Sequence, residues 1–108
     1  LGDFNLTNKD DKKFNVYKGQ EDYWYVAHRE GCYSCNGTYY YGRGNSWDFL
    51  DTIMVSKGRG VSFDIKTINV YKIEFNTYKD TGKPFWFSPE KKEGVSDHFP
   101  MVAKIIIN

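Results

Sequence analysis

Apolar and polar positions are arranged differently in the first 22 residues and in the rest of the chain. Residues 6–22 are polar, are broken by Asn, Asp and Gly, and show no regular apolar period, which predicts a surface connection with one short helical turn. From Tyr23 onward, stretches rich in Tyr, Trp, Val and Ile are separated by turn residues. These runs predict strands of an antiparallel sheet in YWYVAH, GTYYY and WDFLDTIMVS, with hairpin loops at 36–37 and 42–45.

The last third of the chain shows a similar periodicity, interrupted by one long loop. Apolar and polar residues alternate from Ile65 to Phe75, which predicts a strand, although a short helix followed by a strand fits the same residues. Residues 76–94 hold two of the three prolines and are predicted to be a loop. Met101–Ile107 is the most apolar run and is predicted to be a buried strand. At the other end, Leu1–Asn5 have the character of the last residues of a strand that begins outside the chain.

Length and composition narrow the fold class. The chain has 108 residues, of which 40% are hydrophobic and 19% aromatic. A chain of this length forms one domain or part of one, and abundant aromatic residues favour β structure. We therefore predict an α+β fold, mainly antiparallel β-sheet with little helix. The longest apolar run is far shorter than the ~20 residues of a membrane-spanning helix, so no membrane span is expected.

Charge and cysteine content restrict the partners only weakly. The net charge is +1, so no basic excess predicts tight nucleic-acid binding. Cys32 and Cys35 form a single CxxC motif, whereas a structural zinc site needs four ligands and His28 offers only one more. A local disulfide or a pair of unreactive thiols is the preferred interpretation. The compartment stays open, with a secreted or periplasmic location expected if both cysteines are oxidised.

Three separated stretches place compact polar groups beside predicted strand ends: GDFN at residues 2–5, DTIMVS at 51–56 and SDHFP at 96–100. Each stretch alone is typical of a turn or of a polar strand position. Together and in this order they resemble the C-terminal half of the endonuclease/exonuclease/phosphatase family of metal-dependent phosphoesterases, which includes DNase I-like nucleases, abasic-site endonucleases, sphingomyelinases and inositol-polyphosphate phosphatases. The resemblance spans essentially the whole chain and implies one half of the DNase I-like four-layer α/β sandwich.

The resemblance implies a role for each matching residue. Asp3 would orient or deprotonate the attacking water, and Asn5 would hold that water or a phosphate oxygen. His98 would contact the scissile phosphate, and Asp51 would accept a hydrogen bond from His98 that fixes its tautomer. Asp97 would help to hold Mg²⁺ or Mn²⁺, because hard oxygen ligands suit these ions. The implied reaction is phosphodiester hydrolysis, most closely that of a nuclease.

The chain departs from the family by lacking its first half, which supplies an Asn-bearing strand, the principal metal-binding Glu and further phosphate-binding residues. We therefore expect residues 1–108 to be a single domain or a fragment, the C-terminal portion of a phosphoesterase domain, inactive alone. One sheet without its facing sheet would leave an apolar surface exposed. Self-association through that surface is expected. Weak metal affinity follows from the scarcity of carboxylate ligands.

Two other functions fit the same sequence. The first is a non-catalytic β-rich binding module, in which Tyr39–Tyr41, Trp47 and Phe85–Phe87 stack sugars or nucleic-acid bases. The second is a purely structural role within a larger protein. The substrate itself, whether DNA, RNA, a lipid head group or an inositol phosphate, is not specified by any of the three motifs.

Overall fold

A computed structural model describes all residues from Leu1 to Asn108 and shows eight short strands, three short helices and one 3₁₀ turn. In chain order they are β1 (Gly2–Asp3), α1 (Asn8–Phe14), α2 (Val16–Gly19), β2 (Trp24–Val26), α3 (Ala27–Glu30), β3 (Tyr39–Tyr41), β4 (Ser46–Asp48), β5 (Asp51–Thr52), β6 (Met54–Ser56), β7 (Val61–Val70), the 3₁₀ turn (Glu74–Asn76) and β8 (Met101–Ile107). None of the helices has the length and apolar character needed to cross a membrane.

The strands form four separate antiparallel pairs rather than one continuous sheet. The pairs are β1 with β5, β2 with β6, β3 with β4, and β7 with β8. This confirms an α+β chain built mainly from antiparallel strands with little helix. The hairpin loop expected at 42–45 joins β3 to β4, where Tyr41 pairs with Ser46. The loop expected at 36–37 does not close a hairpin, because Gly37 instead packs against the backbone of Asp48, where an added Cβ would lie 2.5 Å from the carbonyl oxygen.

The N-terminal segment contains more helix than its sequence predicted. Residues 6–22 were expected to form a surface connection with one helical turn, whereas α1 and α2 occupy most of this segment. A capping box begins α1, since the Thr7 hydroxyl accepts from the Asp10 amide at 3.0 Å and the Asp10 carboxylate accepts from the Thr7 amide at 3.3 Å. Only Tyr17 and Asp11 are buried here. Because each helix buries only one residue, neither has the repeated apolar positions by which a helix is predicted from sequence.

Three predicted strands also differ from expectation. The segment WDFLDTIMVS was predicted to be one strand, but it contributes to three short strands, β4, β5 and β6, each paired with a different partner. The segment YWYVAH was predicted to be a strand throughout, but β2 ends at Val26 and α3 begins at Ala27. The alternation from Ile65 to Phe75 predicted a strand that β7 completes only as far as Val70, after which the chain turns into the 3₁₀ helix. The alternative of a helix followed by a strand is wrong, because the strand comes first. Loop 76–94 carries no strand or α-helix beyond that turn.

The core lies where β7 and β8 meet α3. Ala27, Phe63, Ile68 and Met101 form its buried cluster. The prediction of a strand over Met101–Ile107 is confirmed, but its burial is wrong, since only Met101 is buried and Ile107 is 80% exposed. Because β7 and β8 pair only with each other, nothing covers the far end of this two-stranded ribbon. We call the exposed apolar side chains of the two strands the apolar ribbon: Ile65, Val102, Ile105, Ile106 and Ile107.

Candidate active site

The first two motifs are brought together by strand pairing. β1 runs antiparallel to β5, and the register places Asp3 directly opposite Asp51. Directly opposed residues of antiparallel strands project to the same face, where two like charges repel. Asp3 is exposed and Asp51 is half-buried. A cationic group near both carboxylates would therefore stabilise this arrangement.

His98 lies against this pair. Its Nδ1 is 2.6 Å from Asp51 Oδ2, with side-chain exposures of 22% for His98 and 16% for Asp51. The expected hydrogen bond between these two residues is present in the structure. A carboxylate only accepts, so Nδ1 carries the proton and donates it, which leaves Nε2 as the ring atom available to a ligand. The Tyr39 ring packs on the imidazole at 5.0 Å between centroids and limits its rotation.

Thr38 fixes the spacing between the Asp51 strand and the His98 segment. It is fully buried, and its hydroxyl accepts hydrogen bonds from the amides of Leu50 at 3.1 Å and Asp51 at 3.3 Å. Its carbonyl accepts from the amide of Phe99 at 2.8 Å. One residue thus joins two segments that lie 47 positions apart in the sequence. We call this set of hydrogen bonds the Thr38 clamp.

Asn5 completes the group that the sequence predicted. Its amide donates to Asp3 Oδ1 at 2.8 Å, and its backbone adopts the left-handed conformation with φ 49°, which Asn tolerates better than most residues. Asn5 borders an open cavity of about 430 Å³ together with His98 and Asp97. The structure therefore brings four predicted residues, Asp3, Asn5, Asp51 and His98, to one end of the β1–β5 pair.

The metal-ligand chemistry of the site is partly in place. Ligand atoms of Asp3, Asp51 and His98 all lie within 4.8 Å of one another. Asp97, the residue predicted to hold the metal, is outside this group: its side chain is 65% exposed and its Oδ1 lies 3.9 Å from His98 Nε2. Mg²⁺ uses one or two protein carboxylates and keeps several waters. Asp51 is engaged by His98, so few carboxylates remain for an ion, and an ion bound here would be weakly held and mostly hydrated.

A second histidine supports the site from inside. His28 Nδ1 lies 2.8 Å from the hydroxyl of buried Thr52, the residue after Asp51, and the ring stacks on Phe49 at 5.2 Å. Burial, and to a smaller extent the neighbouring Arg29 charge, lower the pKa of His28 to about 4. His28 is therefore neutral at pH 7 and packs as part of the interior.

Tyr17 is the other titratable group with a marked shift. Burial, with the Asp11 carboxylate as the next contribution, raises the pKa of Tyr17 to about 12. Its ring contacts His28 edge-on at 4.9 Å and Phe4 at 6.3 Å. Its hydroxyl is buried without a hydrogen-bond partner. This side chain stays neutral at pH 7, and its ring contacts connect α2 to Phe4 and His28.

Three residues important to the geometry were not singled out from the sequence as parts of a site: Thr38, Thr52 and Tyr39. Tyr39 was considered only as a surface aromatic residue. Buried threonines are common in strands, so neither threonine carried a distinguishing signal. Their contacts are long-range in sequence, and only the folded chain shows them.

The two cysteines do not contribute to a metal site. Cys32 and Cys35 are joined in a disulfide, and no free cysteine remains. Of the two interpretations kept from the sequence, the local disulfide is the one present. Sulfurs bonded to each other are not thiolate ligands, which removes the zinc alternative. His28, its only additional ligand candidate, is hydrogen-bonded to Thr52 instead.

The remaining aromatic residues form a groove beside the site. Tyr39 and Tyr40 of β3 line it together with Pro84, Trp86 and Phe87. Trp86 and Phe87 are each about half exposed. The groove has a volume of about 750 Å³.

The chain was compared with models of known protein families, with curated proteins and with solved structures. None of them matches it. The function is therefore inferred from the contacts of the site itself.

Proposed function

We propose that this chain is the C-terminal half of a Mg²⁺- or Mn²⁺-dependent phosphoesterase that hydrolyses phosphodiester bonds, as a nuclease does. The observation that carries the proposal is the Asp51–His98 hydrogen bond of 2.6 Å beside Asp3 and Asn5. These residues come from three motifs far apart in the sequence. Their resemblance to the endonuclease/exonuclease/phosphatase family and their convergence at one place support each other.

In this proposal His98 is the group that contacts phosphate. Asp51 accepts from Nδ1 and holds the imidazole in place, and in its protonated form the ring also donates from Nε2 to a phosphate oxygen. A donor placed where negative charge develops stabilises the transition state, and removing one such group costs on the order of 100- to 1,000-fold in rate. Asp51 acts through His98 and is a positioning residue.

Asp3 and Asn5 serve the attacking water. The Asp3 carboxylate is exposed and accepts the Asn5 amide with one oxygen, which leaves its second oxygen free to accept a proton from water. The Asn5 side-chain amide can hold that water or a phosphate oxygen, since it offers both donors and an acceptor. Bound Mg²⁺, which Asp97 would help to hold, would supply charge compensation at the phosphate.

The apolar ribbon supports the view that this is half of a larger domain. Ile106 and Ile107 are 43% and 80% exposed on a strand that pairs on one side only. Apolar strands of this kind are normally covered by a second sheet. The proposal assigns that cover, and the missing principal metal ligand, to residues outside this chain. The isolated chain is accordingly inactive and self-associates through the apolar ribbon.

The test is hydrolysis of bis-p-nitrophenyl phosphate and of plasmid DNA by the parent protein in Mg²⁺ or Mn²⁺. His98→Ala and Asp51→Asn should lower the rate on the order of 100-fold or more, and the 108-residue chain should be inactive. Asp22→Asn removes an exposed acid outside the site and serves as the charge-matched control. A folded parent protein that is inactive with either metal, or a fully active His98→Ala variant, would show that the proposal is wrong.

The half-exposed Trp86 and Phe87 favour a second candidate function, a non-catalytic module that binds sugar or nucleic acid. The same assay separates the two candidates. A module would bind its ligand without metal-dependent turnover, and substitution of His98 would leave binding unchanged. The phosphoesterase also requires a metal-binding Glu outside residues 1–108, whereas a binding module requires none.

A further inference from the structure

The aromatic groove is continuous with the candidate active site. Tyr39 and Asp97 border both the groove and the cavity that contains His98. Tyr39 also packs directly on the His98 ring. A ligand with a phosphate at His98 can therefore extend into the groove without leaving the protein surface.

Within the groove, Trp86 and Phe87 are the rings that remain free. Three other rings are already occupied: Tyr39 packs on His98, Tyr40 on Trp47 and Tyr78 on Phe85. Trp86 and Phe87 contact no other aromatic ring and are 55% and 52% exposed. Exposed indole and phenyl faces are costly in water and suit a flat apolar partner.

The segment that carries these rings is held in place by its backbone. The Phe85 amide donates to the Asn76 carbonyl at 2.9 Å, and the Phe85 carbonyl accepts from Val95 at 2.7 Å. The backbone at Gly94 packs directly against the backbone of Trp86, so that a Cβ on Gly94 would collide with the Trp86 carbonyl oxygen. The two exposed rings are therefore presented on a fixed loop, which reduces the entropy lost when a ligand binds.

The groove also carries a cation. Lys83 Nζ lies 3.9 Å from the centroid of the Tyr40 ring and borders the groove. A positive charge between aromatic faces is suited to a ligand that combines flat rings with phosphates. Neutral sugars and purely apolar ligands have no anionic group for this lysine.

We propose that the groove binds an unstacked base of a single-stranded nucleic acid, on a nucleotide next to the phosphate held at His98. The base lies on Trp86, Phe87 lines the same wall, and Lys83 faces the backbone. This inference rests on the proposed phosphoesterase function and makes single strands the preferred form of its nucleic-acid substrate. Because the chain has a net charge of only +1, stacking rather than overall charge supplies the preference.

The test compares two fluorescein-labelled oligonucleotides with the same number of phosphates: an eight-residue oligothymidylate and its abasic tetrahydrofuran analogue. Binding to the 108-residue chain is followed by fluorescence anisotropy in EDTA, where no turnover occurs. Charge is equal in the two ligands, so their affinity ratio isolates the bases. We expect the oligothymidylate to bind on the order of tenfold more tightly, with a ratio that persists as salt is raised.

Trp86→Ala should reduce this ratio to about one, whereas Trp86→Phe, which keeps a ring, should retain most of it. Tyr23→Ala removes an aromatic side chain that is 67% exposed and lies outside the groove, and should leave the ratio unchanged. Equal affinities for the two ligands, or a ratio unaffected by Trp86→Ala, would overturn the proposal. A Trp86-dependent blue shift with phosphatidylcholine vesicles, without base discrimination, would overturn it in favour of a membrane contact.

The outcome is independent of the hydrolysis assay. Base discrimination that depends on Trp86, in a protein whose parent hydrolyses nothing, supports the groove and refutes the proposed activity. Hydrolysis by the parent without base discrimination leaves the activity standing and overturns the groove.

Discussion

Lowering the pH from 7 to 4 should destabilise the chain through His28. In the folded protein the pKa of His28 is lowered from 6.5 to about 4, chiefly by burial and next by the Arg29 charge, with Asp11 acting in the opposite direction. Between these two pH values the unfolded chain binds a proton at this residue and the folded chain does not. Stability is therefore fully present above pH 6.5 and is lost as the pH falls toward 4.

The size of the effect follows from the two pKa values. For a single group with these values, the folded state loses about 2 kcal/mol between pH 7 and pH 5 and about 3 kcal/mol by pH 4. Small domains have only ~5–15 kcal/mol of total stability. Because His28 binds the hydroxyl of Thr52, next to Asp51, this loss loosens the strand that carries the candidate active site.

The assay is urea unfolding monitored by tryptophan fluorescence at pH 7, 6, 5 and 4 for the chain and for His28→Gln. Glutamine keeps a polar side chain near Thr52 and does not titrate. Carboxylates contribute equally to both proteins, so the difference between their pH profiles isolates His28. Profiles that run parallel from pH 7 to pH 4 would refute the lowered pKa of His28.

Two further predictions concern the loop and the apolar ribbon. Gly94→Ala should destabilise the chain by about 1–3 kcal/mol in urea unfolding, because φ is +98° and a Cβ would collide with the Trp86 carbonyl. Gly42→Ala is the control, since open space surrounds Gly42. Equal losses of stability in the two variants would contradict the close packing at Gly94. Ile106→Lys should shift the chain toward monomer in sedimentation velocity. Lys66→Gln, on the same pair of strands, is the control and should leave the oligomeric state unchanged. A chain that is monomeric before any substitution would refute self-association through the apolar ribbon.

Most of the residues predicted to form a site come together in the structure, whereas several of the elements around them differ from expectation. GDFN, DTIMVS and SDHFP each place a polar residue at or near the end of a short strand, and the structure brings Asp3, Asn5, Asp51 and His98 together. Asp97 was predicted to help hold the metal from its place in the SDHFP motif, but its carboxylate is 65% exposed and lies outside the group of Asp3, Asp51 and His98. Adjacent residues alternate in direction along an extended chain, so adjacency in sequence did not place both side chains in the same cluster.

The differences between predicted and observed elements have physical causes that the spacing of apolar residues does not reveal. The short helices α1 and α2 bury one residue each and so have no apolar stripe, and only α1 begins with a side-chain capping box. The apolar character of Met101–Ile107 showed that these residues favour burial, but burial also requires a covering layer, which no single segment can reveal. The contact between His28 and Thr52 was missed for a similar reason, because it joins residues 24 positions apart and no single segment reveals it.

The Thr38 clamp has a consequence for how this site can change through mutation. The segments that carry Asp51 and His98 are hydrogen-bonded to the same residue, so a shift of either segment alone breaks bonds to a fully buried threonine. Substitutions that alter the spacing of the pair must then occur on both segments together. Their effects should be epistatic: each change alone is harmful, and tolerance depends on its counterpart.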